Sequence, residues 1–201
     1  MKLTVPFVLA SRSPRRRRLL ERIGMRFEVD ASDVDEDLPD GRSPDELVRA
    51  LAERKARIVA PRHVDALIMG ADTVVVFEGS VLGKPADPRE AAEMLHRLSE
   101  ATHTVYTGIA LVHPATNRTV SAYESTRVTF GPLDPDEIAA YVSSGSPMDK
   151  AGGYGIQDDR GALFVRRIEG DYYNVVGLPL HRFYRMMKRD FSDLLACDYL
   201  A

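Results

Sequence analysis

Short apolar runs alternate along the chain with stretches whose apolar residues recur every three or four positions, the alternation of strands and helices expected of an α/β protein. Residues 7–10 predict a buried strand, residues 14–23 a helix stopped by Gly24, and residues 27–31 a second short strand. An acidic loop, Asp33-Val34-Asp35-Glu36-Asp37, leads to a helix opened by Ser43-Pro44-Asp45-Glu46, in which Ser43 and Glu46 have capping-box spacing. Its pattern continues through Leu47, Leu51, Lys55 and Ile58. Asp87-Pro88-Arg89-Glu90 opens another helix, with Ala91, Met94, Leu95 and Leu98 inward, and Asp134-Pro135-Asp136-Glu137 opens a third. Residues 162–168 predict a strand, and Phe183, Met186 and Met187 mark the apolar face of a final amphipathic helix. No repeat or low-complexity linker interrupts the pattern, so residues 1–201 read as one domain.

Residues 67–77 form a nearly continuous apolar strand interrupted by one carboxylate, Asp72. An ionised carboxylate in such a run is costly unless it meets a cation, a metal or hydrogen-bond donors, so Asp72 is expected to end a buried segment at a cleft. Glu78-Gly79 supplies a two-residue hairpin turn, and counting back from it places Lys84 on the returning strand opposite Thr73, beside Asp72. A carboxylate that can hold a metal or accept a proton, next to an ammonium that can neutralise phosphate, suits phosphoryl chemistry.

Ser13-Pro14-Arg15-Arg16-Arg17-Arg18 places positive charge in the first turn of a helix, where the backbone N–H groups are unpaired and the dipole is already positive. A bound polyphosphate would accept those N–H groups together with planar guanidiniums. Arg15 and Arg16, with Ser11 and Ser13, lie nearest the turn and are the functional candidates; Arg17 and Arg18 read as a solvated face. Residues 149–157 add a third unusual segment, where three glycines permit close backbone approach to a ligand, Lys150 supplies charge and Gln157 offers both a carbonyl and an amide for a base edge. The segment has neither Walker spacing nor a dinucleotide fingerprint, and a structural turn remains open as its explanation.

With 201 residues, 44% of them hydrophobic, the chain can bury a substantial core. A net charge of −3 gives no global attraction to nucleic acid or an anionic membrane, so basic chemistry must be local to the arginine cluster. The single cysteine, Cys197, excludes an intrachain disulfide and a cysteine-rich metal site, which makes cytoplasm the expected location. No apolar run approaches the roughly 20 residues that span a bilayer.

Taken in order, residues 9–16 (Leu-Ala-Ser-Arg-Ser-Pro-Arg-Arg), 70–75 (Gly-Ala-Asp-Thr-Val-Val), 82–85 (Leu-Gly-Lys-Pro), 103–108 (His-Thr-Val-Tyr-Thr-Gly), 149–157 and 174–180 resemble the motifs of the Maf family of nucleoside triphosphate pyrophosphatases, over nearly the whole chain. The resemblance implies a mixed α/β sheet flanked by helices, akin to inosine triphosphatase, with two lobes around a deep cleft, and often a homodimer. It implies hydrolysis of a nucleoside triphosphate to the monophosphate and pyrophosphate with magnesium or manganese. Carried over by motif, Asp72 is proton acceptor and metal ligand, Glu36 a second metal-binding candidate, and Lys55, Lys84 and Arg15 phosphate contacts, with Ser11 and Arg16 near the same turn. Thr73, Gln157 and Arg15 match positions associated with substrate selectivity, while Lys150 and Asp149 order the cleft.

The Asp-Lys-Ala-Gly-x-Tyr-Gly-Ile-Gln form resembles the branch acting on dTTP and UTP rather than the one favouring 7-methyl-GTP, which stands as the alternative substrate. Glu100 departs from the family's glycine in a Leu-Ser-Gly pattern, outside the expected cleft. His103 has no triad partner or metal spacing around it and reads as structural. Two rivals lie outside this chemistry. One is a non-enzymatic nucleotide-binding regulator of septum formation, since Maf relatives have been linked to division arrest. The other is a nucleic-acid module built on residues 15–18, against which the acidic overall balance argues. House-cleaning of modified nucleotides and control of pyrimidine pools would use the same site.

Overall fold

The helices start where the sequence supplies caps. In the computed structural model, which describes residues 1–31 and 41–196, Ser13 caps α1 (Pro14–Arg22) through its Oγ, and Gly24, at φ +68°, follows its end. The Ser43/Glu46 capping box opens α2 (Pro44–Val59), and an Asp134/Glu137 box opens α4 (Pro135–Ser143). Between them, the Asp87 carboxylate accepts the Glu90 N–H at 2.8 Å to start α3 (Pro88–Leu98), whose Ala91, Met94, Leu95 and Leu98 are buried as expected. The acidic loop with Glu36, and Cys197, lie outside the described residues. No helix among the described residues is long and apolar enough to cross a membrane.

The strands are β1 (Phe7–Leu9), β2 (Glu28–Val29), β3 (Leu67–Phe77), β4 (Ser80–Leu82), β5 (Thr102–His113), β6 (Arg118–Phe130) and β7 (Val165–Glu169). They form one mixed sheet in the order β2-β1-β3-β5-β6-β7, with β4 paired to β3, and helices complete the α/β architecture. Contacts divide the chain into two compact units. One is built from Met1–Asp72, Thr107–Glu124 and the chain from Gly177, the other from Thr73–Tyr106 and Ser125–Val176. The long strands β3, β5 and β6 each contribute residues to both.

In the first unit β1 pairs in parallel with both β2 and β3, and α2 lies directly on the sheet. Two glycines make that seat possible. A Cβ at Gly70 would collide with the Ala52 carbonyl and lie 2.8 Å from the Ala56 nitrogen, and one at Gly108 would collide with the Val48 carbonyl. Val8, Ala10, Ala56, Val59, Ile68 and Val112 fill the adjoining core. The last helix, α7 (Leu180–Asp190), belongs to this unit and buries Phe183, Met186 and Met187, as its pattern predicts.

In the second unit β3 pairs antiparallel with β4, and β6 antiparallel with β7. Glu78 and Gly79 both take positive φ, the conformation a tight hairpin turn demands. The register Phe77↔Ser80, Val76↔Val81, Val75↔Leu82 runs as the count from the turn expected, but the ladder stops there. Gly83 turns its carbonyl to accept the Gly152 N–H at 2.9 Å, so Lys84 lies past the strand and is exposed. The strand expected at 162–168 is also different. Ala162 and Leu163 donate to the Asp158 and Arg160 carbonyls, closing a helical turn, α5 (Gly161–Phe164), before β7 begins. That turn buries Phe164 and leaves Leu163 81% exposed. The strand expected at 27–31 shrinks to the two residues of β2, both exposed. A short helix, α6 (Tyr172–Val176), completes the unit.

Gly70→Ala should cost about 3 kcal/mol of unfolding free energy in urea, because backbone cannot yield to the new methyl group. Gly131→Ala, where a Cβ meets nothing within 4 Å, should stay within about 0.5 kcal/mol of the parent. Equal midpoints for the two variants would contradict the seating of α2 on β3.

Candidate active site

In the first unit, Leu67 to Ala71 are wholly or almost wholly buried, and Asp72 follows them at 7% exposed. Its charge is met by Lys55, whose Nζ donates to Asp72 Oδ1 at 2.5 Å, with both side chains largely out of solvent. The pairing follows from the glycine seat: with Ala52 and Ala56 pressed on Gly70, the intervening turn of α2 delivers Lys55 to the next positions of β3. The two opposite charges offset each other in these surroundings, where a carboxylate without a partner would be costly. The sequence expected Lys84 beside Asp72; the ammonium found on Asp72 is Lys55.

The arginine turn lies in the same unit. Arg16 is 9% exposed, and its Nε donates to the Gly177 carbonyl at 2.8 Å and an Nη to Ser11 Oγ at 3.0 Å. Ser11 Oγ also accepts the Ser13 N–H at 3.3 Å. Arg16 therefore frames the turn. Arg15 is half-buried on the first turn of α1, which carries no acidic residue, so the positive end of the helix keeps its field. Arg17 pairs with Glu21 on the surface, and Arg18 is exposed, the solvated face expected of both.

In the second unit, residues 150–157 form tight turns, with Gly152 and Gly153 at positive φ. Lys150 is buried, and its Nζ donates to the Ser146 carbonyl at 2.5 Å and to Asp149 Oδ1 at 2.7 Å, with Asp158 Oδ2 at 3.2 Å. Tyr141 and Ser146 each donate to that Asp158 oxygen at 2.7 Å. Gln157 is exposed, and Thr73 is half-buried at the start of the unit's share of β3. Burial pulls the Asp158 pKa up, but the donors from Ser146, Tyr141 and Lys150 outweigh it and hold the carboxylate below its ordinary value. Tyr141 is pushed well above the usual phenol range, by burial first and then by its bond to Asp158.

Asp158, Tyr141 and Ser146 were not singled out by sequence, since no short motif joins residues this far apart. His103 is structural, as expected: its Nε2 lies 2.7 Å from Tyr154 Oη, its ring packs edge-on against Phe130 and Tyr154, and its Nδ1 is buried without a hydrogen-bond partner among the described residues.

The Maf-like protein family matches residues 6–190. The chain belongs to the Maf family. Among similar proteins of this Maf chain is a dTTP/UTP pyrophosphatase of Salinibacter ruber, 55% identical over 195 residues, with 97% of this chain and 96% of the relative covered. Proteins of the same name from Pelotomaculum thermopropionicum and Bacillus cereus are 53% and 50% identical, covering 90% and 93% of this chain and 95% and 96% of their own lengths. A solved HAM1 protein from Coxiella burnetii is similar at a TM-score of 0.47 and 13% identity, covering 92% of this chain and 99% of its own.

Among the described residues, no group of three or more histidines, cysteines or carboxylates could hold a metal by itself. Asp72 is nevertheless a hard oxygen donor of the kind a divalent cation takes, and Lys55 engages only its Oδ1. Magnesium in particular is commonly held by one or two carboxylates together with substrate phosphates and water. Glu36, the other expected ligand, lies outside the described residues.

The packing around this loop also sets a pH dependence. Burial lowers the His103 pKa from 6.5 to about 4, so between those values the unfolded chain binds a proton that the folded chain refuses. Stability should therefore fall as pH drops from 6.5 towards 4, by up to about 3 kcal/mol from this residue. Urea unfolding of the parent and of His103→Gln across that window checks this: the difference between them should shrink with acid, and a constant difference would contradict it.

Proposed function

We propose that this Maf-family chain is a metal-dependent nucleoside triphosphate pyrophosphatase that converts dTTP and UTP to their monophosphates and pyrophosphate. The observation that carries the reading is Asp72: a carboxylate almost wholly out of water, on an otherwise apolar strand, held by the Lys55 ammonium. Hydrolysis of the α–β anhydride requires a group that takes a proton from the attacking water, and cations that neutralise phosphate charge. Asp72 takes that proton, and Lys55 holds its carboxylate in place. Its similarity to the dTTP/UTP pyrophosphatases of Salinibacter ruber and Bacillus cereus supports the choice of substrates.

The first turn of α1 receives phosphate oxygens through the positive end of its dipole and Arg15, on a backbone that Ser11 and Arg16 hold in place. Lys84, exposed just past β4, adds a mobile ammonium for phosphate. Asp72, with Glu36, would hold magnesium or manganese, which when bound neutralises phosphate charge and lowers the pKa of a bound water. Thr73 and Gln157 are the selectivity residues, and an exposed amide such as that of Gln157 can both donate to and accept from a pyrimidine edge. The reading places the enzyme in the cytoplasm, where its single cysteine needs no oxidising surroundings.

Pyrophosphate release with magnesium or manganese, measured over dTTP, UTP, CTP, 7-methyl-GTP and the ordinary purine triphosphates with product identification, tests the proposal. Preferential formation of dTMP and UMP is expected. A preference for 7-methyl-GTP would contradict the substrate assignment, and binding without turnover of any nucleotide would make the chain a regulator. Asp72→Asn and Lys84→Ala should each lower kcat by about a hundredfold or more while the far-ultraviolet circular dichroism stays unchanged. Parental rates in either variant would sink the assignment of that residue.

A further inference from the structure

Gln157 is exposed, so the place from which its amide reaches out is set by the backbone beneath it and not by packing of its own side chain. That backbone is a turn closed by the Asp158 N–H on the Gly155 carbonyl at 3.1 Å. The same two residues are tied a second time. Gly155 N donates to Tyr141 Oη at 3.1 Å, and Tyr141 Oη donates to Asp158 Oδ2 at 2.7 Å, so the phenol bridges the first and last residues of the turn. Ser146 Oγ donates to the same carboxylate oxygen at 2.7 Å, and Lys150 stands 3.2 Å from it.

The ring leaves no slack. A Cβ on Gly155 would lie 2.6 Å from both Asp158 Oδ2 and Lys150 Cε, and a Cβ on Gly161 would collide with the Gly155 carbonyl from the other side. The carboxylate of Asp158 is the common acceptor of three donors, from α4, the turn that follows it and the glycine-rich segment. Its loss would release Ser146 and Lys150 from the turn and leave Tyr141 tied to it through Gly155 N alone.

We propose that Asp158 is a positioning residue for base selectivity: by holding Tyr141, Ser146 and Lys150 on one oxygen it fixes the 155–158 turn, and with it the direction in which Gln157 meets the nucleobase. This rests on the reading of Gln157 as a selectivity residue of a nucleoside triphosphate pyrophosphatase. Asp158 does not touch the substrate; it acts through Gln157. Lys150 correspondingly serves the turn, its ammonium shared by Ser146, Asp149 and Asp158.

The test uses the full chain and two readouts. The first is kcat and KM for UTP, dTTP, CTP and GTP in the parent, Asp158→Ala, Asp158→Asn and the milder Tyr141→Phe. Asp158→Ala should narrow the UTP-to-CTP ratio of kcat/KM by about tenfold, chiefly through KM for UTP, since a misdirected amide loses binding to the base. Asp158→Asn, which keeps an acceptor for Tyr141 and Ser146, should restore most of that ratio. Tyr141→Phe should shift it the same way by a smaller factor. The second readout is amide hydrogen exchange, which should rise by about tenfold at residues 155–158 in Asp158→Ala, with the β5 and β6 amides unchanged.

A parent that turns over no nucleotide would defeat the functional reading and this proposal together. A parent that turns over UTP selectively, with selectivity or turn exchange unaltered in Asp158→Ala, would overturn this proposal alone. An equal loss on all four nucleotides, not rescued by Asp158→Asn, would likewise overturn it, because that is the mark of a general structural role. If Asp158→Ala fails to fold, Tyr141→Phe decides the same question by the same two measurements.

Discussion

The pairing of Lys55 with Asp72 is the constraint around which the first unit is arranged. A carboxylate at the end of five buried residues of β3 is costly without a partner, and the partner comes from a helix that must lie almost in contact with the strand. Gly70 and Gly108 let α2 come that close, and the capping box at Ser43 and Glu46 fixes where the helix begins and hence which of its turns reaches Asp72. Such a pair contributes little net stability, because desolvation offsets most of the attraction. What it supplies is a charged carboxylate in dry surroundings, where a proton acceptor is most useful.

The second unit solves a related problem differently. Its loop carries glycines, which lets the backbone take positive φ but leaves the segment with few side chains to pack. Order is restored by polar groups and rings. Tyr154 anchors the segment among His103 and Phe130, and Tyr141, Ser146 and Lys150 converge on Asp158. A network in which one acceptor serves three donors is rigid when complete and costly when broken. Rigid support of an exposed amide is what discrimination between similar bases requires.

Much of the fold was legible because its signals are local. Ser43 with Glu46, Asp134 with Glu137 and Asp87 before Pro88 announce helices whose starts the structure bears out, and the apolar faces of α3 and α7 follow from spacing alone. The errors arose where backbone hydrogen bonds that no residue pattern announces intervened. The hairpin count for Lys84 was sound through Leu82, but the ladder ended because Gly83 is engaged by Gly152, far along the chain. Residues 162–164 have strand-like composition, yet the carbonyls of Asp158 and Arg160 capture their amides into a helical turn. At the site, Asp72 stands out as a charge in an apolar run and the resemblance gives Lys55 to phosphate, but its pairing with Asp72 is not legible, because Lys55 is one of several cations on α2 and only packing selects it. Arg16, expected near the phosphate turn, has its Nε and one Nη bonded to Gly177 and Ser11. Asp158 had no sequence signal at all, since its three donors meet only in the folded chain.

A double-mutant cycle on Lys55 and Asp72 bears most directly on the central claim that one ammonium keeps the reactive carboxylate ready. It compares kcat/KM for UTP in the parent, Lys55→Gln, Asp72→Asn and the double variant, each first shown to be folded. If the two residues act as a unit, each single variant loses activity heavily and the double variant is no worse than Asp72→Asn alone. Losses that multiply independently would contradict the account.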